Sequence, residues 1–429
     1  MATPERARTR TGTLCGYMDL DLDDPCVFLR DDVVADPRPL YDVLRRDTPV
    51  WRLPGQDTYL VADPELIREV VGRPREFSSN LVSLLYRDDK GCPVAFGLAP
   101  FGDPIHVLAT ADPPIHTRHR KLLQTHLSPA AVAGLEPTVR RIVDDHLDLL
   151  LAAGRGDFVA RFGNPVPARV VCEVIGLPPK DVPRLIELVA DTGGLLDGVT
   201  DLDGMSRAAT AALDLSLYAQ EQVDAARRRS AADRSGLLAV LVEAIEAGAV
   251  GPDEVRNMLV VLISAGSETT SSLLATAVET LARTPELQAH LRRNPDRIPG
   301  AIEDFLRDDG PFQFHYRWTT TDTTLGGMHI PARSRVLLLW AAANRPAPDE
   351  PIASDVADAA FPAPHLAFGR GLHFCIGAPL ARLESRIAIE QLLARTSAFS
   401  LDPDHPPTQR PSVFIRRHET LIVNIARAA

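Results

Sequence analysis

The chain has little cysteine, and what it has is unpaired in sequence. Five cysteines, Cys15, Cys26, Cys92, Cys172 and Cys375, are scattered without any C-x-x-C spacing, so neither a zinc ribbon nor a dithiol redox centre is encoded. Separate thiols in a reduced, cytoplasmic protein are the expectation. Long apolar runs are also missing. The longest, Met258 to Ala265, is far shorter than the roughly 20 residues a bilayer-spanning helix needs, and no apolar segment follows Arg6, Arg8 and Arg10, so neither a signal peptide nor a membrane anchor is expected. Nor is there a basic excess: 46 Lys and Arg against 57 Asp and Glu give a net charge of -11, which argues against nucleic acid as a partner. No glycine-rich dinucleotide fingerprint sits between a strand and a helix, so no nicotinamide site of that kind is encoded.

What is present is enough apolar residues, 45%, for a large core. Residues 1–35 are polar and acidic and read as a loosely held arm, followed by one domain over 36–429. Two short β-like runs flank the Pro54-Gly55 turn, and no period holds from Ser78 to Ala111, which reads as a long irregular loop. From Pro129 to Gly248 helix follows helix. The glycine-dense break TGGLLDGVTDLDG, at 192–204, lies between two helices, and its glycines suit an ordinary loop. An uninterrupted helical pattern runs from about Pro252 to Arg283. Short strands are expected around Gly326-Gly327 and up to Trp340, and a final hairpin over VFIRRHETLIVNI.

Three stretches carry chemistry. In HLAFGRGLHFCIGAPLARLE, 365–384, Cys375 lies in a glycine-framed loop running into a helix with Pro379 in its first turn. Backbone donors and a positive helix end would stabilise a thiolate, the metal-binding form; an inert buried cysteine in a tight turn is the alternative. In the long helix, Ala265-Gly266-Ser267-Glu268-Thr269 sets small side chains, an acid and hydroxyls where a core helix would carry leucines. Thr269 can donate to the carbonyl of Ala265 and open a groove for a small ligand such as dioxygen; plain close packing would use the same residues. His116 and Arg120, four apart, share a helix face and can grip one anion, or simply face solvent.

The string Phe368-Gly369-x-Gly371-x-His373-x-Cys375-x-Gly377 resembles, at every fixed position, the haem-ligand signature of the cytochrome P450 family, and the shared strings look most like its actinobacterial, mycobacterial-type orphan branch. The resemblance implies a mainly α fold with small β sheets and heme b (iron protoporphyrin IX) bound through Cys375. It further implies propionate contacts from His116, Arg120, Arg317 and His373, and cofactor contacts from Ala265, Gly266, Phe368, Gly369 and Gly377. Glu268 and Thr269 would be the catalytic proton carriers of a monooxygenase acting with O2 on an apolar or amphipathic small molecule. Ferredoxin and a ferredoxin reductase using NAD(P)H would supply electrons, with Arg370, Arg382 and Arg386 as a basic docking patch. Peroxygenase or coupling activity, or a haem sensor or carrier, are the alternatives. Phe312 to Tyr316 would border the substrate chamber, and the 192–204 break would be a mobile cover over it, with an ordinary loop as the alternative. The family's Glu-x-x-Arg pair reads here as Asp304-x-x-Arg307, with Glu303 an alternative acid. The arginine that usually completes this network is missing, the register placing Ala360 there, so compensation by Asn344, Arg345 or backbone carbonyls is expected.

Overall fold

The computed structural model describes residues 20–99, 104–345 and 364–428. Its helices, in chain order, are α1 (Asp31–Ala35), α2 (Arg38–Asp47), α3 (Pro64–Gly72), α4 (Ile115–Leu123), α5 (Pro129–Ala133), α6 (Glu136–Ala153), α7 (Pro165–Ile175) and α8 (Val182–Thr192). They continue with α9 (Leu202–Arg228), α10 (Gly236–Glu246), α11 (Pro252–Arg283), α12 (Pro285–Arg293), α13 (Ile298–Asp309), α14 (Trp340–Asn344) and α15 (Ala378–Arg395). The main sheet has the order β1 (Val50–Arg52), β2 (Thr58–Val61), β10 (Arg335–Leu338), β7 (His315–Thr319), β3 (Phe77–Ser78), with β10 parallel to β2 and the other pairs antiparallel.

Helix α11 is the axis of the fold. Pro252 at its first turn and Asp253 and Glu254 beside it suit a helix start, and α7, α8, α9, α13 and α15 all pack on it. It is long and apolar enough to cross a membrane by length and composition, yet it lies inside this core: Leu273, Leu274, Val278 and Leu281 pack with Phe158, Ile302 and Ile387. Burial of such aliphatics stabilises by about 1.5–3 kcal/mol per fully buried side chain.

Several expectations are corrected. The segment read as a loose arm is part of the core from Val27 onward, because Val27, Phe28, Leu29 and Val33 pack against Phe314, Leu337 and Phe414; residues 1–19 lie outside the described residues. The stretch from Ser78 to Ala111 contains an antiparallel hairpin, β4 (Ser83–Arg87) with β5 (Pro93–Gly97), while 100–103 lie outside the described residues. Its apolar residues alternate poorly because both faces of β4 are covered, which hides the strand period. Cys26 and Cys92, 66 residues apart and expected to be separate thiols, are joined in a disulfide; long-range pairing leaves no spacing signal. Trp340 opens α14 instead of ending a strand. The last two strands do not pair with each other: β13 (His418–Thr420) pairs with β12 (Thr408–Gln409), whereas β14 (Ile422–Arg427) lies between β11 (Thr396–Leu401) and β6 (Arg155–Asp157). The remaining pair is the β8 (Thr323–Leu325) to β9 (Met328–Ile330) hairpin, with its turn at Gly326-Gly327 as the sequence implies. Phe314 and Tyr316, read as chamber residues, are buried against Phe28 and Phe414 in edge-on and stacked contacts, so they are core.

Candidate functional site

The loop around Cys375 is built mostly by its own backbone. Gly369 and Gly371 have φ of +67° and +72°, the left-handed region where a side chain is strained. Gly369 N–H donates to Leu366 O at 2.8 Å, Cys375 N–H to Phe368 O at 2.9 Å and Phe374 N–H to Gly371 O at 3.1 Å, closing the loop on itself. From outside, Leu366 N–H donates to Asn344 Oδ1 at 2.6 Å, and the Arg382 guanidinium sits 4.4 Å over the Phe368 ring. The loop delivers Cys375 to the start of α15. Burial pushes its thiol up, while the amides of Gly377 and Ala378 and the charges of Arg120 and Arg382 pull it the other way. A metal cation at Sγ would tip that opposition to the thiolate.

Beside the loop, four bases converge. The His116 and His373 rings are 4.3 Å apart by centroid, and Arg120 Nη1 donates to Phe374 O at 2.8 Å. Arg317, on β7, is 7% exposed; Nη1 donates to the carbonyl of Tyr316 at 2.7 Å, and among the described residues no carboxylate pairs with it. Burial brings its ionisation down to about 10, with Asp112 opposing. Burial first, then Arg317, His116, His315 and Arg120, lowers His373 to about 3. His116 Nδ1 is buried with no partner, and the nearby acid Asp112 is committed to Ser78 Oγ and Ser79 N–H. His373 Nε2 meets Ser79 Oγ at 2.9 Å. A buried guanidinium with no counter-charge is unfavourable by several kcal/mol. The two carboxylates of a porphyrin would supply that charge, so these residues fit the expected haem.

On α11, Thr269 Oγ1 donates to Ala265 O at 2.7 Å, as the sequence implies, and Ser267 Oγ donates to Ile263 O at 2.8 Å. Ala265 is exposed, leaving its face open. Gly266 has a different job from the one expected: a Cβ there would come within 2.7 Å of Val171 Cγ2, so this glycine lets α7 pack closely on α11. Glu268 points to neither Thr269 nor open solvent. Its carboxylate is gripped by Arg417 Nη1, and Arg417 Nη2 donates to Asp197 at 2.8 Å. Sequence reasoning missed Arg417 and Asp197. Both lie far from the motif in the chain, and only their spatial convergence reveals them.

Behind the loop, Arg307 pairs with Asp304 at 2.6 Å and with Asp308 at 2.9 Å. Of the expected compensators, Arg345 acts elsewhere, in a two-pronged pair with Asp42, while Asn344 does hold the loop, accepting from Leu366 N–H. The register position Ala360 lies outside the described residues. Support for the loop runs instead through Glu303, which takes both prongs of Arg382 at 2.7 Å and His365 Nε2 at 3.0 Å. Two of the three arginines read as a docking patch are thereby engaged, Arg382 with Glu303 and Arg386 with Glu136 and Glu390.

Comparison with known proteins agrees with this geometry. The family model described as Cytochrome P450 matches residues 205–424. Cytochrome P450 144 of Mycobacterium tuberculosis is 38% identical over 400 residues, spanning 93% of this chain and 91% of the relative. Cytochrome P450 monooxygenase PikC of Streptomyces venezuelae is 34% identical over 403 residues, 92% of this chain and 91% of that one. The crystal structure of CalO2 superposes with a TM-score of 0.81 at 27% identity, covering 94% of this chain and 99% of CalO2. With a relative this similar along nearly its whole length, the chain belongs to the cytochrome P450 family.

Proposed function

We propose that the protein is a cytoplasmic haem-thiolate monooxygenase that inserts one atom of O2 into an apolar or amphipathic small molecule, with electrons from a ferredoxin and its NAD(P)H-dependent reductase. The chain from Val27 onward acts as its single haem domain. The observation that carries the reading is the convergence of His116, Arg120, Arg317 and His373, with no carboxylate paired to them among the described residues, next to a half-buried cysteine at the start of α15.

Cys375 would ligate the haem iron through its thiolate; Phe368, Gly369 and Gly377 shape its loop, and the four bases would hold the propionates. When bound, haem supplies the oxygen activation, and the thiolate donates electron density that favours O–O cleavage. The chain itself manages protons. The Thr269 hydroxyl, back-bonded to Ala265, must turn from that carbonyl to exchange a proton, and Ala265 leaves room on the same face. Glu268, whose carboxylate is turned to Arg417, is the acid that replenishes Thr269 by way of water; burial pushes its carboxyl above the usual range, so it can hold a proton nearer neutrality than an exposed glutamate. Electron-partner docking falls chiefly to exposed Arg370, given the engagement of its two neighbours.

Haem-loaded protein is expected to give the carbon-monoxide difference spectrum of a thiolate-ligated haem after reduction, and Cys375→Ala to lose it. Product formation that depends on ferredoxin, reductase and O2, with ligands chosen by a spectral binding screen, completes the test. A neutral-thiol spectrum would overturn the ligand assignment. Turnover on peroxide alone would favour a peroxygenase, and binding without any product a sensor or carrier.

A further inference from the structure

Asp197 lies in the glycine-dense segment between α8 and α9, yet it is 3% exposed. Its carbonyl accepts from Val413 N–H at 2.9 Å, and its carboxylate meets the same guanidinium that holds Glu268. Arg417 is itself 7% exposed, and its Nε, like Asp197 Oδ1, is buried without a partner. Gly193, at the start of the segment, lies flat against the charge: a Cβ there would stand 2.9 Å from Arg417 Nη1. The segment between α8 and α9, where the resemblance places a cover, and helix α11 thus share one cation. Glu268 borders a cavity of about 200 Å³ whose walls include Ser267, Ser271, Arg410 and Arg417.

We propose that Arg417 is a positioning residue through which the seated cover, by way of Asp197, keeps Glu268 available for proton exchange. The proposal rests on the proton role assigned to Glu268 above. With the cover seated, the guanidinium is divided between two carboxylates, and neither receives its full stabilisation. With the cover lifted, Asp197 departs and Arg417 belongs to Glu268 alone, locking it as a carboxylate. Proton exchange would then be enabled only when the chamber is closed. Each proton that leaves Glu268 for Thr269 is replaced from solvent through the cavity, and no electron moves in that exchange. The charged groups facing Glu268 are Arg417, Asp197 and Arg410, and His418 and Glu419 complete the charged lining of the cavity; α8 contributes Ile186, Val189 and Ala190, and the 159–164 segment contributes Val159 and Asn164, all uncharged.

The test uses the haem-loaded full chain with a surrogate ferredoxin, its reductase and NADPH, following dioxygen consumption between about pH 5.5 and pH 9. Wild type should lose rate as pH rises through the Glu268 ionisation, and Glu268→Gln should abolish that limb. Asp197→Asn, which returns the whole guanidinium to Glu268, should move the midpoint down by about half a pH unit or more; Arg417→Gln should move it up, and Arg417→Lys should restore it. Opposite shifts from two residues of one network are not what a merely structural role produces. If Glu268→Gln leaves the limb intact, the proton role itself fails. If it removes the limb but Asp197→Asn leaves the midpoint in place or raises it, the coupling is overturned while the proton role stands. Should Arg417→Gln not fold, the isosteric Asp197→Asn decides alone.

Discussion

Two half-buried glutamates, Glu303 behind the cysteine loop and Glu268 on α11, each rest against an arginine, yet their chemistry is opposed. Around Glu303, burial is outweighed by hydrogen bonds from Arg382 and His365, and its carboxyl is held down at about 2. Around Glu268, burial wins over Arg417, and Asp197 and the carboxylate compete for the same cation, so the carboxyl is pushed up. Glu303 keeps two donors, Arg382 and His365, to itself, whereas Glu268 shares its guanidinium with a second acid, Asp197. An ion pair by itself says little about role.

The largest expected effect breaks the carrier. Glu268→Gln should lower coupled turnover by about 100-fold, the usual weight of a general acid, while leaving the reduced carbon-monoxide spectrum unchanged; stopped-flow and product assays check both. Glu303→Gln should do the reverse. It should weaken thiolate retention, seen as a growing neutral-thiol spectrum, and reduce stability in urea by about 1–3 kcal/mol, discounted because Arg382 is 40% exposed. Stability against pH sharpens the contrast. With a folded ionisation near 2 and an ordinary value of 4.5, Glu303 stabilises fully above the ordinary value, and that contribution disappears as pH falls toward 2. Glu268, raised on folding, has the opposite sign: it favours the fold at low pH, and that contribution is lost as pH rises through its folded ionisation. Chemical denaturation of the two Gln variants across pH should flatten these two separate limbs. The smallest effect belongs to the half-exposed network at the other side of α15. Arg386→Gln should reduce stability by less than about 1 kcal/mol and leave rate and spectrum alone, since Glu136 and Glu390 both keep Arg140.

The parts legible in sequence were those written along one element. Cys375 with its glycines, Thr269 with the carbonyl one turn back, and His116 with Arg120 are each fixed by local spacing, and the structure brings the expected bases together. Helix α11 was readable end to end because proline and acids mark its start and its period never breaks. Partners distant in sequence were not. Asp197 sits in a glycine-rich stretch that reads as loop, and Arg417 in a strand-like run where Arg416 is its equal by type; only Arg417 turns inward to Glu268, while Arg416 pairs with Asp309. The choice between Glu303 and Asp304 turned on helix rotation, and the structure splits the work between them.

The place of Arg317 on β7 links colour to folding. Strand residues alternate sides, and the pairing Arg317 with Val336 on β10 fixes which side this guanidinium takes. A slip of one residue would turn it toward the aromatic side held by Phe314 and Tyr316 and take one of four bases from the proposed haem site. Pigment uptake during refolding therefore audits the hydrogen-bond ladder of the main sheet, so a colourless fraction with normal helix content would be diagnostic of misthreaded strands.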